Sequence, residues 1–211
     1  MSASQEPDRL SRHPAFWNER YEAEGHLFGT TPNAFVGAHE HLIPPGGSVV
    51  ELGAGEGRNL LPLAQRGHFA TVVDFSEAAL RKAGEQAQAV GVPLRLIQAD
   101  VTMWEPVERW DAVIVTFLQL LPDERLRLWR LIHRILKKNG LFLGVFFRPE
   151  QITEGYPSGG PPKLDRMVAA GELRFHFPGR GRLYCEPAEV LLQAGPHLSG
   201  PAAVAQIAYR A

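Results

Sequence analysis

Between Ser48 and Phe147, short and wholly apolar runs alternate with stretches whose apolar residues recur every three or four positions. The first kind predicts buried strands and the second amphipathic helices. Ser48 to Leu52 reads as a strand, Arg58 to Arg66 as a helix, and Ala70 to Val73 as a second strand ending at Asp74. Ser76 is placed to cap the next helix, which turns Ala79, Leu80, Ala83 and Ala87 to one side and ends near Gly91-Val92-Pro93. Leu94 to Gln98 is a third strand ending at Asp100, and Ala112 to Thr116 a fourth. Asp123 to Leu136 carries Leu126, Trp129, Ile132 and Ile135 at helical spacing. Its expected stop is Lys137-Lys138-Asn139-Gly140, with cations in the last turn and a glycine after it. Leu141 to Phe147 is a fifth strand. The strands are apolar throughout, the pattern of a parallel sheet covered on both faces.

The flanks are less regular. Ser2 to Arg12 is polar and reads as a frayed end. Phe16, Trp17, Arg20 and Tyr21 suggest a short helix over Phe16 to Glu24; Gly29 to Asn33 is a loop. Ala34 to Leu42 reads as a helix ended by Pro44-Pro45-Gly46-Gly47. After Arg148, Thr153 to Lys163 is a Gly- and Pro-rich loop, and short strands near Arg182 to Glu186 and Ala202 to Tyr209 extend the sheet edge. The expected fold is α/β: a doubly wound, mostly parallel seven-stranded sheet with helices on both faces. It forms a single domain over residues 1–211, with an N-terminal helical lid segment at 1–47 and a ligand-binding core at 48–147. Residues 148–211 supply a substrate-side loop and edge strands.

Ligands in such sheets bind beyond the C-terminal strand ends, so the loops after Leu52, Val73, Gln98 and Thr116 should surround one site. The first is Glu51-Leu52-Gly53-Ala54-Gly55-Glu56-Gly57, a carboxylate followed by glycines at alternate positions. Such a turn lets backbone amides approach a ligand without side chains in the way. Asp74 offers two acceptor oxygens suited to a ribose diol. Asp100 suits an exocyclic amine, and Phe75 and Val101 can sandwich a flat ring. The dinucleotide fingerprint G-x-G-x-x-G differs: Arg58 stands where its third glycine would be, and Glu51 would repel a pyrophosphate. The sign of that charge favours a ligand with a cationic centre.

With these features the chain resembles the class I S-adenosylmethionine (SAM)-dependent methyltransferases. Glu51-x-Gly53-x-Gly55-x-Gly57 matches their first motif, Asp74 the acidic end of their second strand, Asp100 an adenine-side position, and Leu136-Lys137-Lys138-Asn139-Gly140-Leu141 the approach to their fifth strand. Phe16-Trp17-Asn18-Glu19-Arg20-Tyr21, Gly29-Thr30-Thr31-Pro32-Asn33, Gly55-Glu56-Gly57-Arg58-Asn59 and Ser158-Gly159-Gly160-Pro161 are similar to segments of the bacterial tellurite-resistance (TehB-like) and thiopurine methyltransferase group. His197 and Gly200 also fit that pattern.

The resemblance implies SAM as cofactor, S-adenosylhomocysteine as product, and a small acceptor such as a thiol or a selenium or tellurium oxyanion. Its implied cofactor residues are Trp17, Glu51, Gly53, Gly55, Gly57, Arg58, Asn59, Asp74, Phe75, Asp100, Val101 and Phe117. Tyr21, Arg148 and His197 are the candidate catalytic residues, with Arg148, Arg20 or His197 holding an anionic acceptor. A nicotinamide-dependent oxidoreductase and a SAM-binding protein without turnover are the alternatives.

Composition narrows the partners. Lys and Arg total 22 against 23 Asp and Glu, a net charge of -1, so a nucleic-acid partner is not expected. Cys185 is the only cysteine, which excludes an internal disulfide and a CxxC site; His39-Glu40-His41 lacks HExxH spacing, so no metal is expected. No apolar run approaches the roughly 20 residues of a membrane span. A cytoplasmic monomer or homodimer with no membrane partner is the plain expectation.

Overall fold

The computed structural model describes residues 13–23, 25–195 and 197–211; the expected frayed end at Ser2 to Arg12 lies outside them. Helices α1 (Pro14–Glu22) and α2 (Ala34–His39) precede β1 (Ser48–Leu52), α3 (Leu60–Gln65), β2 (Phe69–Asp74), α4 (Glu77–Ala89), β3 (Arg95–Gln98) and β4 (Trp110–Thr116). There follow α5 (Pro122–Ile135), β5 (Leu136–Phe147), α6 (Glu150–Thr153), α7 (Ala170–His176), β6 (Arg182–Gln193) and β7 (Ser199–Arg210). The seven strands form one sheet in the order β3-β2-β1-β4-β5-β7-β6. From β1 the chain winds outward to β3 and then returns to β4 on the other side of β1, which opens a crevice between β1 and β4 at their C-terminal ends.

The α/β class and the seven strands stand as expected, but the sheet is mixed. β1 to β5 pair in parallel, whereas β7 is antiparallel to both β5 and β6. A tight hairpin closed by Ala194 N–H to Leu198 O at 2.8 Å joins β6 to β7, and so short a connection can only join antiparallel strands. Both strands are 12 residues long, not the short additions expected.

Alternation along the strands builds two cores. Val49, Val72, Ile114 and Leu143 face α2, α3 and α4; Val50, Val73, Val113 and Phe142 face α5 and α7. α4 follows its sequence pattern: Ser76 Oγ accepts from Ala79 N–H, and Ala79, Leu80, Ala83 and Ala87 are buried.

Two local expectations are corrected. β3 is not apolar-covered: it is the sheet edge, with Arg95, Leu96 and Gln98 exposed. The α5 stop comes earlier than the Lys-Lys-Asn-Gly run, because Leu136 is drawn into pairing with Trp110. The left-handed residue there is Asn139 (φ 63°), while a β-carbon on Gly140 would stand 2.8 Å from Lys137 O. Lys137 Nζ pairs with Asp111 Oδ2 at 2.7 Å instead of serving the helix end.

Candidate active site

A cavity of about 390 Å³ opens over the C-terminal ends of β1, β2, β3 and β4. Of the expected cofactor residues, Trp17, Gly53, Gly55, Arg58, Asp74, Phe75, Asp100, Val101 and Phe117 line it. Glu51, Gly57 and Asn59 stand behind this wall. Gly57 (φ 73°) faces Val72 and Ala83, where a β-carbon would lie 3.4 and 3.5 Å away, so it serves close packing.

The glycine turn differs from its sequence reading in one respect. Gly53 and Ala54 N–H both donate to Val73 O, at 2.9 and 3.1 Å, and Gly57 N–H donates to Ala54 O. Gly55 N–H donates to Asp74 Oδ2 at 2.8 Å. These amides are already used within the protein, so the turn is not a cradle for phosphate. It offers glycine backbone and carbonyl oxygens beside carboxylates, a surface for a cationic group.

Asp74 terminates β2 and is buried. Its Oδ1 accepts from Ser76 N–H at 2.9 Å and its Oδ2 from Gly55, which fixes the carboxylate while leaving a lone pair on each oxygen. Burial pushes this carboxyl up, against backbone N–H groups of Ser76, Gly55 and Phe75 that pull it down. Asp100 is held differently: its Oδ1 accepts both Thr102 N–H and Oγ, at 2.8 and 2.7 Å.

Glu51 is 1% exposed. Asn59 Nδ2 and Thr116 Oγ donate to its Oε1 at 2.6 and 3.0 Å, but Oε2 is buried without a partner. Burial raises its pKa to about 7, despite the lowering effect of Asn59, Arg58 and Thr116. An orphaned carboxylate oxygen beside a turn with its amides spent suits a cationic ligand tail.

The segment before Ser48 covers this end. Asn18 Oδ1 accepts from Ser76 Oγ at 2.7 Å. Glu56 accepts from Leu27 N–H at 3.0 Å and pairs with His26, while Lys82 Nζ donates to Ala23 and Gly25 carbonyls. Tyr21 is buried against the turn: a β-carbon on Gly55 would stand 2.5 Å from its hydroxyl. Burial, then Asp74 and Glu56, push the Tyr21 phenol well above its ordinary value, so it stays protonated.

The expected acceptor residues are placed elsewhere. Phe147 points into the cavity, so strand alternation turns Arg148 away, and its Nη1 pairs with Glu150 at 3.1 Å. Leu198 lines the cavity, whereas the neighbouring His197 is exposed and outside it. Arg20 is exposed, with its guanidinium 4.2 Å from the Phe16 ring centre. Arg166, Gln119, Phe28 and Phe147 line the cavity without having been marked by the sequence. Arg166 arrives from a turn in an aperiodic loop, and its Nη1 donates to Gln119 O at 3.3 Å.

The ring Nδ1 atoms of His39 and His41 contact separate carbonyls, those of Phe35 and Ala38. Among the described residues no group of three or more His, Cys, Asp or Glu is placed to hold a metal ion. No described helix is long and apolar enough to cross a membrane.

Comparisons with known proteins agree with this geometry. Residues 49–140 match the family described as a methyltransferase domain. The chain is 32% identical over 120 residues to carboxy-S-adenosyl-L-methionine synthase of Campylobacter concisus (strain 13826), covering 54% of this chain and 51% of that protein. It is 30% identical over 138 residues to thiocyanate methyltransferase 1 of Arabidopsis thaliana, covering 59% and 57%. The chain thus spans about half the length of these curated relatives. The solved structure of TehB from Haemophilus influenzae superposes with a TM-score of 0.71 at 18% identity, over 93% of this chain and 66% of that one. At that identity the likeness is one of fold. Residues 49–140 are thus similar to a methyltransferase domain, and the fold of the chain is similar to that of TehB.

Proposed function

We propose that this class I methyltransferase domain transfers a methyl group from SAM to a small-molecule acceptor, a thiol or chalcogen oxyanion. The observation that carries the reading is the partnerless, buried Glu51 Oε2, just behind the cavity wall that Asp74 lines and beside a turn whose Gly53, Ala54, Gly55 and Gly57 amides are spent. That arrangement suits an adenosine with a cationic tail and disfavours the pyrophosphate of a nicotinamide dinucleotide.

On this reading Asp74 holds the ribose hydroxyls, Phe75 and Val101 flank the adenine with Asp100 at its amine, and Glu51 balances the charged tail. A sulfonium donor supplies a methyl group on a leaving group already activated by its charge. The protein then needs to position the acceptor and exclude water. The segment before Ser48, through Trp17 and Tyr21, is the cover that does the second. Among the described residues lining the cavity there is no histidine, cysteine or lysine. An acceptor that arrives ionised, as a chalcogen oxyanion does near neutral pH, needs no base there, and a thiol would have the cavity carboxylates to take its proton.

Thermal melts with S-adenosylhomocysteine and, separately, NADH test the donor. S-adenosylhomocysteine should raise the melting temperature and NADH should not; the reverse would sink the reading. A SAM-consumption screen over thiols, selenite and tellurite then tests turnover. Glu56→Ala should weaken SAM binding by about tenfold, since Leu27 N–H loses a charged acceptor and the cover loosens. Calorimetric titration giving wild-type affinity would remove Glu56 from that role.

A further inference from the structure

Two helix starts meet behind the cavity wall: Asn33 precedes α2 and Asn59 precedes α3. Asparagine at such a position ordinarily caps its own helix. Asn33 does so, its Oδ1 accepting from Phe35 N–H at 3.0 Å. Asn59 makes no such bond. Its Nδ2 donates instead to Glu51 Oε1 at 2.6 Å and to Thr116 Oγ at 3.1 Å, and its Oδ1 accepts from Asn33 N–H at 2.7 Å. Asn33, Asn59 and Glu51 are all buried.

A backbone N–H can only donate, so the Asn59 oxygen must face Asn33. The amide is planar, so its NH2 group must then face Glu51 and Thr116. The bond from Asn33 thus decides which end of Asn59 meets the carboxylate. The loop that carries Asn33 is itself held from two sides. Arg58 Nη1 donates to Thr31 O at 3.2 Å, and Gly29 lies so close to the β6–β7 turn that a β-carbon on it would stand 3.0 Å from Gly195 N.

We infer that Asn33 is a positioning residue for the proposed cofactor site: its backbone N–H holds Asn59, Asn59 anchors the Glu51 carboxylate, and seating of residues 29–33 thereby completes the surface that meets the cationic tail. The inference rests on the SAM reading above and adds the residue that links the cover to the buried carboxylate. Among the described residues, the side chains of Asn59 and Thr116 donate to Glu51 Oε1, and Oε2 has no partner. Loss of the Asn59 donor leaves burial less opposed, which favours the neutral acid. Burial already holds the Glu51 pKa at about 7, so one donor decides its charge near neutral pH. Arg58 from the turn, Asp74 from β2 and Tyr21 from α1 also bear on that charge, and none of them is replaced by a substitution at position 33 or 59.

The midpoint of the rise in SAM affinity with pH, followed by calorimetry on the full-length protein, tests this link. Wild-type binding is measured first: if SAM does not bind, the cofactor reading fails together with this inference. A wild-type affinity that does not change with pH overturns this inference and leaves the ribose and adenine contacts of the cofactor reading standing. Asn33 has φ −63°, which proline adopts without strain, so Asn33→Pro removes the N–H and keeps the backbone path. Asn33→Ala is its control, since both lose the cap on α2 and only proline loses the N–H. The midpoint should lie near 7 in wild type and in Asn33→Ala. In Asn33→Pro it should lie about one pH unit or more higher, the size expected for one hydrogen bond to a charged group.

Asn59→Ala removes the link from its other end and should raise the midpoint likewise. The double variant Asn33→Pro/Asn59→Ala should match Asn59→Ala alone, because the second change finds the link already cut. Additive shifts would mean that the loop acts on Glu51 by another route, such as Arg58, and they overturn the proposal. A cover that is merely loosened lowers SAM affinity by one factor at every pH and leaves the midpoint in place; that result for Asn33→Pro overturns it too. Asn59→Ala with the wild-type midpoint does so whether or not the proline variant folds.

Discussion

Asp74→Ala is expected to lose measurable SAM affinity, a drop of about 100-fold or more, and to destabilise the apo protein by about 2–4 kcal/mol. Both effects follow from one carboxylate serving two groups of donors. Within the protein it accepts Gly55 and Ser76 N–H, and removing it leaves those two buried donors unpaired. On the proposed reading, its remaining lone pairs towards the cavity are the acceptors for the ribose diol of SAM. Asp74→Asn separates the two roles, since one acceptor oxygen survives and can serve either Gly55 or Ser76 while the charge is gone. Its stability should fall between wild type and Asp74→Ala, with SAM affinity still strongly reduced. Denaturant titration and calorimetry on both variants check this. Wild-type SAM affinity in Asp74→Ala would eliminate the ribose role.

The second large effect is a pH dependence centred on Glu51. Its folded-state pKa is raised from 4.5 to about 7, chiefly by burial. Protonated Glu51 is therefore the form the apo fold prefers. Its contribution to stability is fully present below about pH 4.5 and is lost as pH rises through about 7, a change on the order of 3 kcal/mol. A cationic ligand prefers the ionised carboxylate, so SAM affinity should rise with pH up to and through 7. Binding at pH 6 should release a proton, visible as a buffer-dependent heat. In Glu51→Gln the amide oxygen can still accept from Asn59 and Thr116, so the fold is kept. That variant should gain apo stability relative to wild type at pH 8. Its SAM affinity should be about tenfold or more below wild type there, with little difference at pH 6. A wild-type affinity that is flat between pH 6 and 8 would refute the direct role of Glu51.

What the sequence conveyed about the site was its local chemistry. The glycine turn, Asp74 and the Ser76 cap are each determined by neighbouring residues, and the structure places them as their spacing suggests. Features decided by distant contacts were harder to see. Leu136 left its helix to pair with Trp110, some 26 positions away in sequence, overriding a plausible helix stop. β3 reads as apolar in sequence, yet its exposure depends on which strand lies at the edge. Arg148 is one residue past Phe147, which lines the cavity, and on extended chain that shift reverses the direction of a side chain. His197 sits in the β6–β7 turn beside Leu198, where the turn and not strand alternation sets its direction. Phe117 gave no warning of its left-handed backbone, because phenylalanine is among the residues least suited to it.

The position of β7 has a consequence for the order in which the molecule assembles. It follows every other strand in sequence, yet lies inside the sheet between β5 and β6. Until it is synthesised, β5 has no partner on that side, and its Leu141–Phe147 stretch presents an open, apolar edge. The nucleotide-side half, β1 to β4, can pair from nearby segments well before then. Synthesis thus passes through an interval with the cofactor crevice already framed and the adjoining half-sheet still adhesive, an interval that ends only when the antiparallel strand arrives.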